Sequence, residues 1–419
     1  MPRTGGEQTR EEIVRHAARL FRMKGYYRAG VRSILEAAGV SRGAFYFHFK
    51  SKRELGEAVV AYYGRVLPAR LEEVFAEGSW REGMEHYVRE FMGTEEAPLL
   101  VAAPLAHLGI EFAGADRRLL NLVGEVLGSV EALLARALED SGFPQELSAR
   151  RAATVIACFE GHVLRHVLYR NPECIAQAAR DLVAFGTPPD KATDVCLLRE
   201  EPPDGIEAVG RVEEFAGNHL DSVDNRSIIV SEGDDANEYL ARRSEILSHA
   251  AALFLKRGYH ATGILDIARA ASVPKGSFHY YFENKRALAL KVLEGLRAQI
   301  EAGLAAAFSA KTWEGAVRAF CRLLELFAGG GALDAFPMAR MGLEFAGSDP
   351  RLAGEVADML RAAETALANA IEKYRPDGPP PRECAATAVA LWQGHMARMV
   401  IYQRQEPLEQ LCEDLIVAL

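Results

Sequence analysis

GVSRGAFYFHFKSKREL (39–55) is the stretch on which the reading of this chain turns. Gly39 ends a short helix over about 31–38, in which the spacing points Ile34, Ala37 and Ala38 inward. Ser41 is a good N-cap for a third helix, 42–48, which buries Phe45 and Phe49 at i, i+4. Ser51 and Glu54 cap the start of a longer fourth helix. Upstream, Ile13, Ala17, Leu20 and Phe21 make one apolar face of a helix over 12–24. Thr9 and Glu12 read as its capping box and Gly25 as its stop. Two short helices joined by a tight glycine-containing turn form a helix-turn-helix.

The unit is written twice. A shift of 233 positions lays IVRHAARLFRMKGYY (13–27) on ILSHAAALFLKRGYH (246–260), with 19 identities in the 43 positions of 13–55 against 246–288. Further along, PLAHLGIEFAGADRRL (104–119) falls on PMARMGLEFAGSDPRL (337–352), with 10 identities in 16. ATVIACFEGHVLRHVLY (153–169) falls on ATAVALWQGHMARMVIY (386–402), and Trp80 on Trp313. The repeat is domain-sized, roughly 175 residues, and duplicated. It predicts five segments: a helix-turn-helix domain at 1–55, a helical domain at 56–186, a linker at 187–238, a second helix-turn-helix domain at 239–288 and a second helical domain at 289–419.

Charge is segregated along the 419 residues. The whole chain is at −9, but 187–238 alone is at −10, and its TPPD, EEPPDG and SEGDDAN read as a linker that reaches roughly 40 Å as a free coil. Residues 1–55 carry +7 and 239–288 carry +5, the footprint of modules that meet phosphate. A solvated basic face is the bland alternative to each; helix-turn-helix spacing, aromatics and charge occurring together twice favour DNA. No apolar run reaches membrane-spanning length, and the N-terminus shows no secretory pattern. Six scattered cysteines without CxxC argue against a disulfide scaffold or a zinc ribbon and favour a reducing cytoplasm.

Residues 39–55 closely resemble the recognition-helix signature of the tetracycline-repressor (TetR) family of bacterial transcription regulators, and SVPKGSFHYYFENKRAL (272–288) resembles it less fully. The resemblance implies an all-α fold of two TetR-like units, each a three-helix module followed by a helical bundle. It implies a double-stranded DNA operator and a small-molecule effector as partners; no cofactor or metal is expected, and an enzyme is a distant third reading for want of any catalytic constellation. Carried over residue by residue, the DNA-facing positions are Arg42, Gly43, Ala44, Tyr46, Phe47 and His48, with Lys52 on a phosphate. In the second unit they are Lys275, Gly276, Ser277, His279, Tyr280 and Tyr281, with Lys285 on the phosphate. Three departures stand out. Gly30 and Gly263 occupy a position that is often Ser or Thr in the family, Phe47 lacks the hydroxyl of Tyr280, and Pro274 replaces a capping Ser.

The remainder of each copy reads as amphipathic helices, among them 118–138 and 151–169. In the family this part holds the effector pocket and the dimer surface. Candidate pocket groups are Trp80, His107, Glu111 and Phe112, with Trp313, Arg340, Glu344 and Phe345; ordinary packing is the competing reading for each. Gly161, Arg165 and Tyr169 share a helix face, as do Gly394, Arg398 and Tyr402, which suggests close approach between helices of a bundle or packing within one domain. EFAG[AS]D and GHxxR carry no chemistry that spacing reveals. GVSRG matches a nucleophile elbow, but helices flank it on both sides and the second copy has Pro274 in place of the serine. His162 and His166 are spaced to share a metal, but the second copy has His395 and Met399. AGGGALD (328–334) reads as a helix connection; a redox-sensing role for Cys158 or Cys174 is weighed against the commoner reading of a lone cysteine on an apolar helix face as buried and inert.

The expectation is a cytoplasmic, ligand-responsive regulator, a repressor by analogy, folded as an intrachain pseudo-dimer that reads an imperfect palindrome or an asymmetric operator. Pairing of two tandem chains, and a helical binding protein that has lost DNA binding, are the alternatives.

Overall fold

The computed structural model describes residues 5–76, 78–93, 103–113, 115–187, 234–328 and 337–418. All regular structure among them is helical. The first repeat runs α1 (Gly5–Lys24), α2 (Val31–Ala38), α3 (Arg42–His48), α4 (Lys52–Phe75), α5 (Trp80–Gly93), α6 (Ala103–Phe112), α7 (Arg117–Asp140), α8 (Gln145–Tyr169) and α9 (Glu173–Phe185). The second runs α10 (Asp234–Arg257), α11 (Ile264–Ala270), α12 (Lys275–Tyr281), α13 (Lys285–Ala307), α14 (Trp313–Ala328), α15 (Pro337–Ala346), α16 (Pro350–Tyr374), α17 (Pro381–Tyr402) and α18 (Glu406–Ala418). The same shift of 233 that aligns the sequences superposes the helix order one for one.

Two local expectations change. α1 starts at Gly5, so Thr9 and Glu12 lie inside it and do not cap it. Nothing between Gly6 and Thr9 breaks a helix, and Glu7 in the first turn complements the macrodipole. On α2 Ile34 is buried and Ala38 half-buried, but Ala37 faces solvent. Most of the expected acidic linker, 188–233, and most of the AGGGALD segment lie outside the described residues.

In the first repeat α1 packs on α2 and α4 through Ile13, Ala17 and Phe21, all essentially buried. The Tyr63 hydroxyl on α4 donates to the Ala18 carbonyl at 3.3 Å, which satisfies the one polar atom of a buried ring. Below this module α4 lies on α7, α7 on α8, and α8 on α9, with α5 against α9. The second repeat repeats the pattern, α10 on α13 and α13 on α16, with α15 on α16.

Proximity divides the chain into two units, 1–198 with 390–410 and 199–389 with 411–419. The division therefore does not follow the repeat boundary. Within the first unit the later part of α17 lies against α8 at backbone distance. A Cβ built on Gly161 would stand 1.9 Å from the Ala390 carbonyl oxygen, and one on Gly394 would stand 1.9 Å from that of Ala157. Arg398 donates to Glu131 on α7 at 2.9 Å, and Gln410 donates to the Arg150 carbonyl at 2.6 Å. Cysteine spacing also misled. Cys321 and Cys412, 91 residues apart, are joined sulfur to sulfur within the second unit, while Cys158, Cys174 and Cys384 are buried thiols.

Candidate nucleic-acid interface

The recognition helix α3 is built by its two ends and two anchors. Gly39 adopts the left-handed conformation at φ 65°, turning the chain out of α2. Two residues on, the Ser41 hydroxyl accepts from the Ala44 N–H at 3.1 Å and opens α3. Phe45 and Phe49 are fully buried, so the helix is pinned by one face. What remains outside is Arg42, Gly43, Tyr46 and Phe47, with Ala44 and His48 half-buried. Phe47 is 83% exposed and Tyr46 48%, an unusual display of aromatic surface on seven residues. The Arg42 guanidinium rests 5.7 Å from the Tyr46 ring centre.

α12 reaches the same geometry with other residues. Ser272 takes the left-handed position at φ 53° in place of glycine. Pro274 opens the helix without any side-chain cap. Phe278 and Phe282 are buried; Lys275, Gly276, His279 and Tyr280 face outward, while Ser277 and Tyr281 are half-buried. Tyr280 is 72% exposed. Tyr239 on α10 stacks on Tyr281 at 5.2 Å and meets Tyr280 edge-on at 5.4 Å. Sequence reading missed Tyr239. The aligned residue in the first copy is Gly6, so repeat comparison gave no signal for it. In both copies an arginine of the first helix backs the second anchor: Arg10 over Phe49 at 5.0 Å and Arg243 over Phe282 at 5.1 Å.

Lys52 and Lys285 are tied into the module itself. Lys52 Nζ donates to the Tyr27 carbonyl at 3.2 Å and lies 4.5 Å over the Tyr26 ring. Lys285 Nζ donates to the Tyr259 and Thr262 carbonyls, both at 2.8 Å, and lies 4.1 Å over the Tyr259 ring. Burial pulls both ammonium groups below the usual lysine range, the nearby Glu111 and Glu344 opposing the shift. Each lysine thus braces the turn after the first helix and brings a cation to the start of the fourth.

Several of the candidate pocket residues make contacts within their own repeat. The Glu111 carboxylate accepts the buried Tyr26 N–H, and the Glu344 carboxylate accepts the His260 N–H at 2.9 Å. Phe112 packs edge-on against Tyr26 at 5.0 Å, as Phe345 does against Tyr259 at 5.1 Å. His107 stands one turn before Glu111, its Nε2 3.6 Å from the carboxylate. Trp80 Nε1 donates to the Leu182 carbonyl at 2.9 Å and its ring stacks on Phe75. Trp313 is half-buried beside Tyr374. The side chain of Arg340 lies outside the described residues.

EFAG[AS]D joins module to bundle. Its Glu and Phe grip the module, and its Asp caps the next helix. Asp116 accepts from the Arg118 and Leu119 N–H groups and pairs with Arg53 of α4 at 2.8 Å. Asp349 caps α16 likewise and pairs with Arg286 of α13. That arginine holds the Asp349 carboxyl below the usual range. The motif is a clamp between module and bundle, present in both copies.

GHxxR is a hydrogen-bonded string. Arg165 donates to His162 Nδ1 at 2.8 Å, which leaves Nε2–H to donate to Asp181 Oδ2 at 2.8 Å. Arg398 meets His395 Nδ1 at 3.3 Å in the same way. Cys158, His162 and Asp181 bring ligand atoms within 4.8 Å of one another. Both ring nitrogens of His162 are engaged and a guanidinium adjoins it, and the second copy has Leu391 in place of the cysteine, so the cluster reads as packing rather than an ion site. His166 turns the other way, to the Asn171 carbonyl at 3.0 Å.

Two basic helix-turn-helix modules, each clamped to a helical bundle, define a DNA-binding regulator. The model of the bacterial regulatory proteins of the tetR family matches residues 13–59 and again 246–292. That of the LmrA/YxaF-like transcriptional regulator C-terminal domain matches 83–195. The chain belongs to the TetR family as a tandem duplication of its unit. It is similar to YxaF of Bacillus subtilis strain 168, an HTH-type transcriptional regulator, at 27% identity over 38% of this chain and 86% of that one. It is also similar to the HTH-type transcriptional regulator AcrR of Shigella flexneri, at 29% identity over 43% of this chain and 87% of that one. A regulatory protein TetR from Rhodobacter sphaeroides aligns with a TM-score of 0.40 and 20% identity, over 42% of this chain and 96% of that structure. The first two of these relatives are named as transcriptional regulators.

Proposed function

We propose that this protein is a ligand-responsive repressor that acts in the cytoplasm and reads its operator with both recognition helices of one chain. The two repeats take the places of the two subunits of a TetR-type dimer. The observation that carries this reading is the mutual approach of Gly161 to Ala390 and of Gly394 to Ala157. Each glycine meets the residue four positions before the other under the same shift of 233, which is how a two-fold interface pairs residues. Arg42, Gly43, Ala44, Tyr46, Phe47, His48 and Lys52 serve one half-site. Lys275, Gly276, Ser277, His279, Tyr280, Tyr281 and Lys285 serve the other. The heads enter successive major grooves roughly 34–36 Å apart. Phe47 offers apolar contact to a thymine methyl, whereas Tyr280 adds a hydroxyl for phosphate or base.

Effector binding to a bundle acts through the clamp. α6 holds the turn at Tyr26 by Glu111, and α15 holds the turn at His260 by Glu344. A ligand that favours a different seating of α6 or α15 shifts the head with it, provided it binds the off-DNA state more tightly. Selection of bound duplexes from a random pool, followed by sequencing, tests the proposal. It expects two half-sites of unlike sequence within one turn of each other. A strictly symmetric consensus, or no enrichment, is the contrary result.

A further inference from the structure

We propose that Cys321 and Cys412 are a reversible dithiol–disulfide pair, closed by peroxide, that gives the second bundle and not the first a redox-sensitive clip. Cys321 lies on α14 and Cys412 on α18, with Cα atoms 6.0 Å apart, inside the range a disulfide spans. In the first repeat the equivalent positions on α5 and α9 are Val88 and Ala179. Those two helices also pack on each other. Cysteine therefore replaces both members of one helix–helix contact, in one copy only. Cys158, Cys174 and Cys384 are each buried as thiols, so the pairing is selective among the described cysteines.

Exposure sets the order of events. Cys321 is 3% exposed and Cys412 is half-buried, so a small oxidant reaches Cys412 first. Its thiolate attacks the O–O bond of hydrogen peroxide, giving a sulfenic acid and, with one proton, water. The Cys321 thiolate then attacks that sulfur. The S–S bond forms and hydroxide leaves, taking a proton to become the second water. Two thiols lose two electrons, and one peroxide gains them. A dithiol reductant reverses the step by exchange. Intracellular disulfides are mostly of this transient kind. Gln410, two residues before Cys412 on the same helix, donates to the Arg150 carbonyl at 2.6 Å and to Thr154 Oγ1 at 3.1 Å.

The test is a thiol titration of the full chain, denatured after treatment with hydrogen peroxide, together with peptide mapping. The expected titre falls from the six cysteines of the sequence to four and returns to six with dithiothreitol. The linked peptides carry Cys321 and Cys412, and neither Cys321→Ser nor Cys412→Ser loses two thiols. A titre that stays at six, or a link between other cysteines, overturns the proposal. The mapping needs only the unaltered chain and no DNA, so it stands or falls separately from operator recognition.

Discussion

Glu160 sits inside the first repeat on the face of α8 that carries Ala153, Ile156 and Leu164, and its Oε1 has no hydrogen-bond partner. Burial alone raises its carboxyl well above the ordinary range. The folded chain therefore holds the proton while the unfolded chain releases it near the usual glutamate value. Stability from this group is full below that value and falls as pH rises toward the folded pKa, by about 1.4 kcal/mol per pH unit. Glu160→Gln removes the dependence. The urea midpoint of the variant relative to the parent is expected to rise between pH 4 and pH 7, whatever constant offset the amide brings. A difference that does not change with pH contradicts the assignment. The second copy has Gln393 in this place, also buried, with neither amide atom paired.

At the scale of helices, the glycine pair makes the sharper statement. Gly161→Ala places a methyl 1.9 Å from a backbone oxygen, which no rotamer relieves. α8 and α17 must separate, at a cost of about 1–3 kcal/mol. Gly128→Ala on α7 is the control, since nothing lies within 4 Å of its Cβ. There the better helix former is expected to stabilise by up to about 1 kcal/mol. Equal effects of the two substitutions on the denaturation midpoint are the contrary outcome. Helices α2 and α3 were legible to the residue, because Gly39, Ser41 and the Phe45–Phe49 spacing act locally. The clamp was not. Glu111 and Tyr26 are 85 residues apart, and a carboxylate facing a backbone N–H leaves no pattern in spacing. Glu111 and Glu344 were candidates for a pocket, with packing as the competing reading, and their carboxylates accept N–H groups of the turn after the first helix of each module. Likewise Cys321 and Cys412 meet only after two helices have paired.

For the molecule as a whole, duplication was visible in the sequence and survives helix by helix in the fold. Duplication frees each head to diverge, since one chain carries both. Tyr239 buttresses α12, while Gly6 occupies the aligned place before α3. Ser41 caps α3, and Pro274 leaves α12 uncapped. A homodimer cannot hold such differences, because each change appears in both subunits. On the proposed function a single polypeptide supplies the pair of heads. Native mass spectrometry of the chain on a duplex recovered by selection tests it most directly. One chain, 45.9 kDa, bound per duplex carrying both half-sites is the predicted result. Two chains on that duplex, with no one-chain complex at limiting protein, is the result that contradicts it.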